Sequence, residues 1–218
     1  MKRVIIIAGH YGSGKTNIAV NLALKMKKDG YDTVIADLDI VNPYFRTKDS
    51  IERLNEAGIK LISSKYANSN VDIPAIPQEM YSVVDDKEHF YIVDLGGDDR
   101  GAYALGRYAD KIKEEGNFEF YFVFNMFRPL TPDADSALEV MREIESACNM
   151  KFTAIINNSN IGELTDAAAV LTSVKESDKL SLSAEIPVVY TCVDKRLLDD
   201  LNDFKGNLFA MELQDKII

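Results

Sequence analysis

Val4-Ile5-Ile6-Ile7-Ala8-Gly9-His10-Tyr11-Gly12-Ser13-Gly14-Lys15-Thr16 is the stretch whose reading decides the fold. The apolar run Val4–Ala8, rich in β-branched residues and bounded by Gly9, has the form of a parallel strand buried on both faces. The next eight residues fill every fixed place of G-x-x-x-x-G-K-[ST]. Behind them Ile18, Leu22 and Met26 recur at i, i+4 and i+8, with Ala19 and Ala23 on the adjoining row, so the turn opens an amphipathic helix. A strand, glycine-rich turn and helix in this order suit a polyphosphate. The glycines let successive N–H groups turn inward, and the helix N-terminus adds its dipole. Lys15 brings a point charge to the outer phosphates, and the Thr16 hydroxyl can ligate the Mg²⁺ that bridges them. The candidate binding residues are Gly9, His10, Tyr11, Gly12, Ser13, Gly14, Lys15, Thr16 and Asn17.

Outward from this stretch, short apolar runs alternate with helical periodicity. Strands are expected at Thr33–Ala36, Phe90–Val93, Phe118–Phe124, Phe152–Ile156 and Pro187–Tyr190, with a weaker one at Lys60–Ile62. The first helix should stop at Lys28-Asp29-Gly30, a glycine in the usual C-terminal place. Further helices are expected at Tyr103–Glu115, at Pro132–Cys148 with Thr131 as cap, and at Leu164–Lys179. Residues 63–79 (SSKYANSNVDIPAIPQE) read as an irregular surface loop. Leu208–Leu213 suits either an edge strand or a docking helix. The pattern predicts an α/β fold: one three-layer domain over residues 1–218, with a mostly parallel central sheet.

The 218 residues carry 25 Lys plus Arg against 35 Asp plus Glu, a net charge of −10 with no basic patch, which disfavours nucleic acid and anionic membranes as partners. The two cysteines, Cys148 and Cys192, are too few and too far apart for a disulfide framework or a zinc site, and read as buried reduced thiols. Val4–Ala8 is too short for a signal-peptide core, and no stretch approaches the roughly 20 apolar residues of a membrane span. The expected location is cytoplasmic.

Two further segments carry carboxylates where a site should be. Val34-Ile35-Ala36-Asp37-Leu38-Asp39 ends a strand with two acids two residues apart, pointing the same way. Phe90-Tyr91-Ile92-Val93-Asp94-Leu95-Gly96-Gly97 is an apolar run ending in Asp, with glycines that let the next loop approach a terminal phosphate. Behind a phosphate loop, such acids at strand carboxyl ends are metal and catalytic candidates: Asp37, Asp39 and Asp94 beside Thr16.

In these features the chain resembles the MinD/ParA-like branch of P-loop NTPases, which also holds the nitrogenase iron protein. The likeness covers Gly9–Thr16, Asp37-Leu38-Asp39 as switch I, Asp94-Leu95-Gly96-Gly97 as switch II, and the element order through about residue 195. It implies that Asp39 polarises the attacking water, with Lys15 as its catalytic partner, that Asp94 holds Mg²⁺ through water, and that Asn157 contacts the base. The family's signature lysine, after the first glycine, reaches a dimer partner's nucleotide; here that place holds His10, mostly neutral near pH 7 at an unperturbed pKa of about 6.5. Arg46 and Arg100 are candidates to supply the cation of a nucleotide-dependent homodimer. No cysteines suit the iron protein's electron transfer, and the tail FKGNLFAMELQDKII is too weakly basic to anchor on a membrane.

Guanine recognition of the N-K-x-D kind needs a carboxylate, whereas Asn157-Asn158-Ser159-Asn160 offers an amide with one acceptor atom, so ATP is the expected nucleotide. The expected function is an ATP-driven switch with slow Mg²⁺-dependent hydrolysis, cycling between ATP and ADP on an unknown protein partner. Two alternatives use the same scaffold. One is a small-molecule kinase or an amide ligase resembling dethiobiotin synthetase, with Tyr44, Phe45, Arg46 and residues 63–79 around an acceptor. The other is a non-catalytic nucleotide-sensing module, against which intact Lys15, Thr16, Asp39 and Asp94 weigh.

Overall fold

Val4–Ala8 forms β1, buried at every residue. Ile5 and Ile7 pack with Ile18, Leu22 and Met26 of α1 (Lys15–Lys28), while Val4, Ile6 and Ala8 face the opposite layer. Period-two alternation with both faces apolar is what a central parallel strand requires. The structure, a computed structural model, describes residues 1–39, 48–63, 78–97 and 99–212. After α1 come β2 (Thr33–Leu38), α2 (Lys48–Glu56), β3 (Lys60–Ile62), α3 (Ser82–Asp85), β4 (Phe90–Leu95), α4 (Asp99–Gly106), α5 (Ala109–Glu115) and β5 (Phe118–Phe124). Then follow α6 (Ala134–Cys148), β6 (Ala154–Asn157), α7 (Ala167–Ala184), β7 (Val188–Asp194) and β8 (Leu208–Met211).

The strands form one eight-stranded sheet in the order β3-β2-β4-β1-β5-β6-β7-β8, and every pairing is parallel. All the carboxyl ends therefore lie along one edge. The chain builds outward from β1 first toward β3 and later toward β8, so the loops after β1, β4 and β5 meet where the winding reverses, the place where open α/β sheets hold ligands. One face packs α1 against Ile35, Ile92 and Val123; the other stacks Phe120, Phe122, Phe124 and Phe152 under α4 and α6. Phe120 and Phe152 lie 4.0 Å apart, centroid to centroid. Both cysteines are free and buried.

Several boundaries differ from expectation, each for a local reason. The helix expected over Tyr103–Glu115 is two, α4 and α5, broken after Gly106, where Tyr108 N donates to Leu105 O at 2.8 Å in a tighter turn and the Tyr108 ring turns inward against Tyr81. The cap of α6 is Asp133, whose carboxylate accepts from Ser136 N at 2.9 Å; Thr131 instead donates its hydroxyl to Asn125 O at 2.8 Å. Likewise α7 begins after Asp166, which accepts from Ala169 N, three residues later than expected. Leu208–Met211 takes the edge-strand alternative. Residues 64–77 of the irregular stretch, and Leu213, lie outside the described residues.

Candidate functional site

The loop after β1 reaches α1 through Gly14, which takes φ 92° at the N-cap and offers no side-chain cap, so the first-turn N–H groups of α1 stay open to a ligand. A Cβ on Gly14 would lie 2.2 Å from Asn158 Nδ2, which donates to Ser13 O at 2.7 Å. Only glycine lets the segment after β6 press on the loop this closely. Lys15 is buried, with Nζ donating to His10 O at 3.3 Å. Gly97, just beyond β4, closes the far side: a Cβ there would sit 2.6 Å from Tyr11 N and 3.1 Å from Lys15 Nζ.

Beneath these, Thr16 Oγ1 donates to Asp94 Oδ2 at 2.6 Å. Asp94 is buried, and its Oδ1 has no hydrogen-bond partner among the described residues. Burial drives its pKa up to about 6, against the pull of Lys15 and the Thr16 hydroxyl, and Asp39 adds to the rise. Asp37 lies opposite Asp94 in the ladder, and its buried carboxylate accepts from Asp39 N at 2.8 Å. Asp39 is the first residue past β2. An orphaned buried carboxylate oxygen beside a hydroxyl, all oxygen donors, fits a hard divalent cation such as Mg²⁺. Asp37, Asp39 and Asp94 do not make a three-carboxylate cage; no such cluster exists among the described residues. That suits Mg²⁺, which takes one or two protein carboxylates and completes its shell with phosphate and water.

The other anticipated residues fall as follows. His10 is half-buried, with Nδ1 3.0 Å from Tyr11 O. Tyr11 is exposed, and Asn17 accepts from Asn21 through its carbonyl and its side chain. Asn157 is fully buried: Nδ2 donates to Ser173 Oγ at 2.9 Å, and Oδ1 accepts from the Ser159 hydroxyl at 2.7 Å. It reaches a base only by exchanging those bonds. Arg100 is exposed on α4, and Arg46 lies outside the described residues, as does Asp98. Three contributors were not among the anticipated site residues. Asn158 holds Ser13. Arg128, on the loop after β5, donates from Nε to Gly12 O at 2.6 Å. Asn125, at the end of β5, shapes that loop by accepting from Phe127 N at 3.0 Å and Thr131 Oγ1 at 2.8 Å. Their only sequence signal is a polar residue within four positions of the end of β5 or β6. Beside Asn158 lies a narrow recess, with a volume of about 10 Å³, lined by Asn160, Thr165, Cys192, Asp194 and Met211.

A family model described as the CobQ/CobB/MinD/ParA nucleotide binding domain matches residues 4–187. The chain belongs to that nucleotide-binding family, and the expected resemblance stands. No curated protein matches it in sequence. Among solved structures it resembles the cell division protein FtsY of Thermotoga maritima, at TM-score 0.58 and 19% identity, over 89% of this chain and 63% of that one. It also resembles chloroplast FtsY of Physcomitrella patens, at TM-score 0.57 and 18% identity, over 87% of this chain and 57% of that one. A third is the signal recognition particle 54 kDa protein of Aeropyrum pernix K1 in complex with GDP, at TM-score 0.52 and 15% identity, over 86% and 40%. At these identities the likeness is one of fold, and the chain spans less than two thirds of each.

Proposed function

We propose that the protein is an ATP-driven switch with slow Mg²⁺-dependent hydrolysis, acting on a protein partner from the cytoplasm as one domain over residues 1–218. The observation that carries this is the seat of Gly97 on Tyr11 N and Lys15 Nζ. A terminal phosphate held by the loop needs those same groups, so its arrival must rearrange the segment after β4, and its loss must release it. Nucleotide state is thereby turned into a change at the protein surface. Among the described residues no helix is long and apolar enough to cross a membrane.

In this reading the nest Gly9–Gly14 and the open N-terminus of α1 bind the phosphates, and Lys15 neutralises their outer charge. Thr16 and Asp94 would hold Mg²⁺, with Asp37 beside Asp94 in the ladder. When bound, the ion supplies charge neutralisation between the outer phosphates. Asp39 orients the water for attack in line with the leaving oxygen.

ATP is favoured over GTP at the recess beside Asn158. Asn160 donates to Asn158 O at 2.9 Å and accepts from Gly162 N, so it presents no free carboxylate-like pair of acceptors to a guanine edge. Asp194, the carboxylate lining the recess, is committed to Arg196 through its backbone N–H at 3.1 Å and Nε at 3.3 Å. Calorimetry with Mg-ATP and Mg-GTP, alongside phosphate release without added acceptor, tests the reading. Wild type should bind ATP more tightly and release phosphate slowly. Lys15→Ala should lose most of the affinity, because the backbone nest alone cannot offset the triphosphate's charge. Equal ATP affinity in the two proteins would refute the phosphate-loop reading; turnover only with an added acceptor would favour a kinase or ligase.

A further inference from the structure

Arg128 enters the phosphate loop from a neighbouring strand. Its Nε donates to Gly12 O at 2.6 Å, and the guanidinium lies over Gly12, whose Cβ position would fall 3.5 Å from Nε and 3.8 Å from Cζ. Its remaining N–H groups have no partner among the described residues, and no carboxylate there forms an ion pair with it. The loop that carries it is braced at both ends of Asn125: Phe127 N and Thr131 Oγ1 bond to the Asn125 side chain and carbonyl. An arginine half-buried at the rim of a polyphosphate nest, anchored by one nitrogen and leaving the fork of its other two, presents the geometry that grips phosphate oxygens in bidentate fashion.

The charge around the loop asks for such a group. Lys15 is the buried cation, against the carboxylates of Asp37 and Asp94 and the nearby Asp39. A triphosphate brings further negative charge, and the place where the resembled family has its signature lysine holds His10.

We propose that Arg128 is a phosphate-contacting residue supplied by the chain's own β5 loop, bringing to the terminal phosphate a permanent positive charge from within the chain. The proposal rests on reading Gly9–Thr16 as a nucleotide site. The alternative is that Arg128 only braces Gly12, and the two roles differ in what they do to nucleotide preference. A brace shapes the nest for any nucleotide; a contact to the terminal phosphate counts only when that phosphate is present.

The test titrates Mg-ATP and Mg-ADP against wild type, Arg128→Gln and Arg128→Lys, with steady-state phosphate release. Arg128→Gln should weaken ATP binding about tenfold or more while leaving ADP within a few fold, and cut phosphate release by about 10³-fold, the low end for an arginine that stabilises phosphoryl transfer. Arg128→Lys, keeping the charge without the fork, should fall between. An ATP-to-ADP preference unchanged in Arg128→Gln, whether both affinities hold or both fall together, overturns the proposal and leaves a brace. If wild type binds neither nucleotide, the phosphate-loop reading falls and this proposal with it; wild-type binding with an unchanged preference in the variant sinks this proposal alone.

Discussion

Asp37 and Asp39 stand two residues apart, yet the backbone leaves them in different surroundings. Asp37 is buried inside β2 and spends one oxygen on the Asp39 N–H, whereas Asp39 is the first residue past the strand. Asp39→Asn keeps the size and one acceptor but loses the charge that orients a nucleophile. It should leave ATP affinity within a few fold and lower turnover by about 10²-fold, the low end for a positioned acid–base group. Asp37→Asn should also weaken Mg²⁺-dependent binding, since it disturbs both the outer shell of the ion and the turn that sets Asp39. Phosphate release measured beside Mg-ATP titration separates the two. Near-wild-type turnover in Asp39→Asn removes it from the mechanism and moves attention to Asp98 or Asp99. At this scale the legible residues were those whose spacing is itself the chemistry: Lys15 and Thr16 in the loop motif, and Asp94 at the end of an apolar run. Arg128 and Asn158 were not legible. Each bonds a loop carbonyl, of Gly12 and of Ser13, from more than a hundred residues away, and no local spacing encodes such a contact.

Among the elements, strands were easier to read than helix ends. A buried parallel strand announces itself by unbroken apolar residues, as β1 and β5 do. A helix start among Thr131, Pro132 and Asp133 has several competing caps, and the winner depended on Asn125 O claiming the Thr131 hydroxyl, a tertiary fact. The start of β4 shows how a turn can be held by one side chain. Asp86 accepts from Tyr91 OH at 2.7 Å, from Glu88 N at 2.8 Å and contacts His89 Nδ1 at 2.7 Å. Partial burial by itself would raise its pKa, but these hydrogen bonds to the charged form outweigh it and hold the carboxyl well below the usual range. A folded pKa below the unfolded value of about 3.9 gives stability that is fully present above that pH and lost as pH falls below it. Asp86→Asn should therefore be less stable than wild type near neutrality, by about 1 kcal/mol, with the gap closing toward about pH 3. Urea midpoints at the two pH values check this. A gap that stays constant or widens on acidification would show that the carboxylate's charge is not what holds the turn.

Across the whole molecule, the all-parallel sheet brings loops from β1, β2, β4 and β5 to one edge, so a complete set of phosphate-facing groups can come from a single chain. The resembled family's signature lysine, which reaches a dimer partner's nucleotide, belongs to a different solution, in which a partner copy completes the site. Arg128, already bonded to the loop, is proposed to supply that charge within the protomer. If nucleotide drives pairing through the segment after Gly97, pairing is an output of the proposed switch and not a requirement for its chemistry. This distinction has a kinetic signature. A residue supplied by the partner makes turnover per chain rise with protein concentration until dimers saturate, whereas residues supplied in the same chain make it flat. The expected result is phosphate release per protomer that does not change along a dilution series, while light scattering with a non-hydrolysable ATP analogue reports any dimer over the same range. His10→Ala should leave both measurements as they are in wild type. Specific activity that climbs in step with the dimer fraction, and is lost in His10→Ala, would return the missing cation to the partner copy and its His10.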